Sequence, residues 1–149
     1  VIGGLINLIL IIDTLYCGIV SGIIVSAVAP ITSFIITGSP VIAAVPMILP
    51  CIMIGNMVLV LFACFVRCKK LELNLLPISL IAGSVAKWGV MTLLIIRWVL
   101  PSFGKGLSHV AYKAATVTYS TTQLIAALFG TALACVIWPI VRLGVKRSK

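Results

Sequence analysis

Acidic side chains are almost absent from this sequence: Asp13 and Glu72 stand against 11 lysines and arginines in 149 residues, of which only 9% are charged. The two carboxylates are far apart in the chain, so paired acids for general acid and base chemistry are excluded. Histidine occurs once, at His109, which leaves a histidine-based metal centre nothing to build on. The five cysteines (Cys17, Cys51, Cys64, Cys68 and Cys135) form no paired metal-binding pattern, and their odd number argues against a disulfide framework. No GxxxxGK[ST] run is present to cradle a nucleotide, and no HExxH to hold zinc. The run Gly18-Ile19-Val20-Ser21-Gly22 has the wrong spacing for a serine nucleophile elbow. These absences argue against an enzyme and imply neither metal nor cofactor.

What is abundant is apolar surface. Hydrophobic residues make up 62% of the chain and the mean hydropathy is +1.34. A water-soluble domain carries about 25% charged residues, so this chain reads as an integral membrane protein in contact with the lipid bilayer. The net charge of +9 does not point to nucleic acid, because the cations sit at the ends of apolar runs rather than along a basic groove. No basic segment precedes the first apolar run, so no cleavable signal peptide is expected.

The residues Thr14 to Val66 carry no formal charge, a length that holds two membrane crossings at about 20 residues each. Turn formers from Thr37 through Pro46 mark the break between them. The expected architecture is an all-α polytopic helix bundle forming one domain over 1–149. Its five spans fall near 4–16, 19–36, 46–66, 77–99 and 121–143, with a tight turn between the first two at Gly18. Arg67, Lys69 and Lys70 follow the third span, and Arg142, Lys146, Arg147 and Lys149 follow the fifth. By the positive-inside rule both groups are cytoplasmic, which places the protein in the cell membrane with its C-terminus inside. The connections 37–46 and 100–120 then face outward, the latter with Lys105, His109, Tyr112 and Lys113. An odd number of spans would leave Val1 outside, so one helix, the first of six, is expected to be missing upstream. Small residues four apart, Gly18 with Gly22, Ser79 with Gly83, and Ala126 with Gly130 and Ala134, are expected to mark close helix contacts.

Within the spans a few polar residues stand out. Lys87 is the only charge between Ile78 and Ile96. A charge at mid-membrane depth costs about 2.5–3.5 kcal/mol on insertion scales, so it must face protein or a water-filled cavity. Either it pairs with a structural carboxylate or carbonyl, for which Asp13 is the only acidic candidate within the spans, or it meets an anionic group of a bound solute. The second is the preferred reading, with a carboxylate or phosphate on the ligand. Asn56 lies midway along the third span, where its amide serves either an interhelical hydrogen bond or a ligand. Gln123 is expected to open the last helix, as a capping neighbour or as a gate contact, with Tyr119 beside it. Trp88 is a packing residue or a stacking platform. A Ser84–Lys87 dyad is conceivable on one helical turn, but no oxyanion donors accompany it.

The runs PMILPCIMIGNMVLVLFACFVRCKK, LIAGSVAKWGVMTLLIIRWVLP and YSTTQLIAALFGTALACVIWPIVRL resemble the substrate-binding S component of energy-coupling factor (ECF) vitamin transporters. Gly55, Asn56, Lys87, Gln123 and Leu124 fall at the places where that family carries a Gly-Asn pair, a mid-helix lysine and a Gln-Leu start. The resemblance implies a six-helix protein that takes a vitamin from outside and delivers it by toppling in the membrane. Its partners would be a transmembrane coupling protein and two ATPase subunits. The first helix of the family, with its alanine motif, is expected to be the one missing upstream. Pantothenate, biotin or a folate-like compound would suit Lys87, with Asn56 orienting the ligand and Gln123 and Tyr119 covering it. Two other classes stand beside this one: a structural or assembly subunit whose polar residues serve helix association, and a membrane-embedded enzyme using Lys87.

Overall fold

The computed structural model describes residues 2–68 and 75–147, with side chains for all of these except 68 and 144–147. Of the expected cytoplasmic group, Lys69, Lys70 and Lys149 lie outside the described residues, as does Glu72, and the side chains of Lys146 and Arg147 lie outside them too.

Among the described residues the chain is helical throughout, in six helices: α1 (Ile2–Tyr16), α2 (Ile19–Thr37), the short α3 (Pro40–Ala44), α4 (Ile48–Cys68), α5 (Leu76–Gly106) and α6, which begins at His109 and runs on as Gln123–Arg147. Helices α2, α4, α5 and α6 are each long and apolar enough to cross a membrane. The fifteen residues of α1 rise about 22 Å at 1.5 Å per residue, less than the roughly 30 Å of a hydrocarbon core. The protein is an all-α membrane helix bundle. Its outer surface is studded with exposed Ile24, Ile35, Ile36, Val110 and Ile140, which in water would be a liability and in lipid is the required coat.

The α1–α2 turn is as tight as expected. The N–H groups of Cys17 and Gly18 both return to the carbonyl of Asp13, and Gly18 takes φ 114°, ψ −176°, a region open essentially to glycine. A Cβ at Gly18 would also lie 2.6 Å from Nη1 of Arg67, whose guanidinium donates to the carbonyl of Thr14. Gly18→Ala is therefore expected to cost about 1–3 kcal/mol. Gly38→Ala, at an αL helix end with open space around it, should cost less; thermal midpoints of the two variants in one detergent check the order.

Two differences from the sequence-based reading concern the connections. The segment 100–120, expected as an outward loop, is mostly helix: α5 continues to Gly106, and α6 starts at His109, capped by Ser108, whose Oγ accepts from the Ala111 N–H at 3.2 Å. Capping thus occurs fifteen residues before Gln123, which lies inside a continuous helix and does not open one. The segment 37–46 does break the chain, but its Pro40 seeds α3 at a position where proline costs no hydrogen bond.

Helix α1 packs against α2, α4 and α6, while α5 packs against α4 and α6. Lipid tails are as apolar as leucine, so contact between helices depends on close approach. The Ala126, Gly130 and Ala134 face provides it: a Cβ at Gly130 would fall 2.7 Å from the Gly4 carbonyl oxygen and 3.0 Å from the Leu8 nitrogen, backbone atoms of α1. Gly83 sits likewise against Phe62 of α4. Two apolar clusters fill the interior. One, with Ile48, Cys51, Met91, Ile95 and Tyr119, lies towards α3; the other, with Ile11, Leu59, Ala63, Leu80 and Ala134, lies towards the α1–α2 turn. Between them along α4, α5 and α6 come the buried polar groups Asn56, Ser84, Lys87 and Thr131, which Asn7 of α1 and Ser26 of α2 join.

Candidate functional site: a lysine-floored pocket

The polar layer contains the buried charge. Lys87 is 2% exposed, and its Nζ donates to Oδ1 of Asn7 at 2.5 Å and to Oδ1 of Asn56 at 2.6 Å. Asn56, 2% exposed, passes the chain on, its Nδ2 reaching the Ser26 carbonyl at 3.4 Å. Each contact follows from helix geometry. Gly55 leaves the room on α4 that Met91 of α5 fills, which brings Asn56 alongside Lys87. Gly130 lets α1 lie against α6, which brings Asn7 in from the other side.

Both partners of the lysine are neutral. An ammonium has three N–H donors, of which these bonds use two. Asp13, the carboxylate expected as a possible structural partner, is engaged elsewhere: its Oδ1 accepts from Ser21 at 2.9 Å near the α1–α2 turn, about 9 Å along α1 from Asn7 at 1.5 Å per residue. The Nδ2 of Asn7 is buried and has no hydrogen-bond partner among the described residues. An orphaned buried donor costs about 1–3 kcal/mol, so its presence calls for an acceptor.

Lys87, Asn7 and Asn56 form the floor of a pocket of about 210 Å³. Ile6, Pro30, Ile42 and Ile52 give it apolar walls, and Ser33, Thr37, Ser39, Thr118, Tyr119 and Gln123 give it a polar upper rim. No carboxylate is among the lining residues. The lining comes from the start of α1, the end of α2, the start of α4 and the early part of α6, so the pocket reaches the α3 end of the bundle. Arg67 and Arg142, near the ends of α4 and α6, lie at the opposite end. Tyr119, 5% exposed, reaches across to Ser39 at the rim.

The structure thus brings together Asn56, Lys87, Gln123 and Tyr119 from the sequence-based set. Trp88 does not line the pocket: successive helical residues point about 100° apart, so the face that presents Lys87 turns Trp88 aside, with its indole N–H buried and without a partner among the described residues. The Ser84–Lys87 dyad does not form. Ser84 bonds to the hydroxyl of Thr131 at 2.7 Å and to the Ala127 carbonyl at 3.4 Å.

Asn7 is the residue that sequence reading missed. Its signal was there, a side-chain amide alone within the apolar run Ile2 to Ile12, the same signal that singled out Asn56. A second feature had no signal. Helix α5 widens into a π-helix over Thr92–Val99 and α6 over Thr118–Thr122, and the two wide stretches pack against each other beside the pocket. Such turns are frequent at functional sites because they re-aim side chains without ending the helix; here Tyr119 is on one of them.

No family model matches the chain, and neither does any curated protein or solved structure.

Proposed function

We propose that this protein is the solute-binding subunit of an ECF-type transporter, capturing a vitamin or related micronutrient for ATP-driven uptake across the cell membrane. The observation that carries the reading is the buried cation: Lys87 stands at the floor of a pocket open towards one end of the bundle, with neutral partners and spare donor capacity. Intramembrane ionisable groups face substrate paths or partners, and this one has no acidic partner in its pocket. A bound anion would neutralise it.

In this reading the pocket end faces outward and the arginine end, with the C-terminus, faces the cytoplasm. Asn56 and Asn7 hold Lys87 in place, while Tyr119 and Gln123 close over the solute. The energy comes from partners, a transmembrane coupling protein and two ATPase subunits, since this chain has no phosphate-binding loop.

The reading is tested by purifying the protein from its native membranes and reconstituting what accompanies it. Two ATPases and a coupling protein should accompany it, and proteoliposomes should accumulate a solute only when ATP is supplied. A chain that purifies alone, and whose membranes accumulate nothing, would instead support an assembly role in which Lys87 and the two asparagines serve helix association.

A further inference from the structure

The pocket also limits the chemistry of its occupant. Its open donors include the third N–H of Lys87 and the amide of Asn7, which is 1% exposed, lines the pocket and has no partner for its Nδ2 among the described residues. Both lie at the floor, joined through the bond from Nζ to the Asn7 Oδ1. Two adjacent donors, one of them charged, match the two oxygens of one carboxylate. They do not match a phosphate monoester, which carries about −1.5 to −2 charge and three strong acceptor oxygens; Lys87 is the sole cation among the lining residues.

Size narrows the class further. Drug-sized ligands occupy about 300–1,000 Å³, and an apolar cavity of about 150 Å³ holds one benzene ring. At about 210 Å³ this pocket has room for one ring and a carboxyl group, between walls of Ile6, Ile42, Ile52 and Pro30. A fused bicycle with a side chain, as in biotin or a folate, would extend past its walls into the open end.

Resting on the solute-binding reading, we infer that the ligand is a compact monocarboxylate of about one ring, bound carboxylate-down between Lys87 Nζ and Asn7 Nδ2. Asn7 is then the residue that reads the carboxylate. The complex is neutral at the floor, which is what a group held at membrane depth requires. The rim hydroxyls are left to read the far edge of the ring.

The test is titration calorimetry on the purified full chain in detergent. The probes are benzoate, cyclohexanecarboxylate and pyridine-3-carboxylate, set against benzamide, phenyl phosphate and biotin. At least one single-ring carboxylate should bind saturably, with benzamide about 10- to 100-fold weaker than benzoate or undetectable, as expected for loss of a charged hydrogen-bonding partner. In Asn7→Asp the new carboxylate would occupy the anion's place beside Lys87. That variant should keep or raise the thermal midpoint and lose carboxylate binding, which separates a binding effect from a folding one.

Binding led by phenyl phosphate, benzamide or biotin, or unchanged carboxylate binding in Asn7→Asp, would overturn the inference and leave the protein a solute binder. No binding of any probe would also overturn it. Whether the broader reading survives is then decided separately, by whether the protein purified from its own membranes carries a solute of another kind.

Discussion

Lys87→Met should leave a folded protein that no longer holds its solute. The substitution replaces a buried ammonium with an apolar chain of similar length, which removes the cost of keeping a charge out of water. It strands Oδ1 of Asn7 and Oδ1 of Asn56, each a buried acceptor worth about 1–3 kcal/mol when unpaired. Loss of the lysine's own desolvation cost offsets much of this. The thermal midpoint of the empty protein should therefore stay within about 4 °C of the parent. Ligand affinity should fall by about 100-fold or more, since the charged donor at the floor is gone. Equal affinity in the two proteins would show that Lys87 faces its asparagines alone.

Gly130→Leu should have the opposite profile, with the fold failing first. Cβ alone would sit 2.7 Å from the Gly4 carbonyl oxygen, 2.7 Å from Asn7 Cβ and 3.0 Å from the Leu8 nitrogen. Two of these are backbone atoms of α1, which have no rotamer to give, so the helices must separate. A cost above about 3 kcal/mol is expected, at or beyond the upper end of ordinary overpacking. Because Asn7 is on α1, the same displacement opens the pocket floor. Low yield of monodisperse protein and a lowered thermal midpoint are the readouts. Ala132→Leu, on an exposed face of the same helix, should change neither.

The difference between these variants reflects what sequence can reveal. The membrane class, the long apolar helices α2 and α4 and the tight turn at Gly18 were legible because each depends on local chemistry: charge-free length, turn formers and a glycine. Lys87 and Asn56 were legible for a related reason, since an isolated polar group in an apolar run has to be satisfied somewhere. Which partner satisfies it depends on helix rotation and neighbour choice, and these are set by packing at Gly55, Gly83 and Gly130. Asp13 was the natural candidate partner by charge, yet it lies towards the other end of α1; the neutral Asn7, six residues earlier, takes the place.

The helical reach of α5 and α6 was hidden for a different reason. Pro101, Gly104 and Gly106 signal an ending, and the chain does turn at 107–108, but Pro101 falls within the last turns of α5 and His109 already starts α6. The π-helical stretches leave no compositional mark at all. Trp88 shows the converse limit: adjacency in sequence to Lys87 suggested a shared site, and helical geometry points the two side chains apart.

The most direct measurement is to purify the protein from its own membranes without added ligand, denature it and identify by mass spectrometry any small molecule released, in parallel with Lys87→Met. The account predicts one organic anion in near-stoichiometric amount from the parent protein and none from the variant. A parent protein that releases nothing, or a variant that retains the same molecule in the same amount, would contradict it.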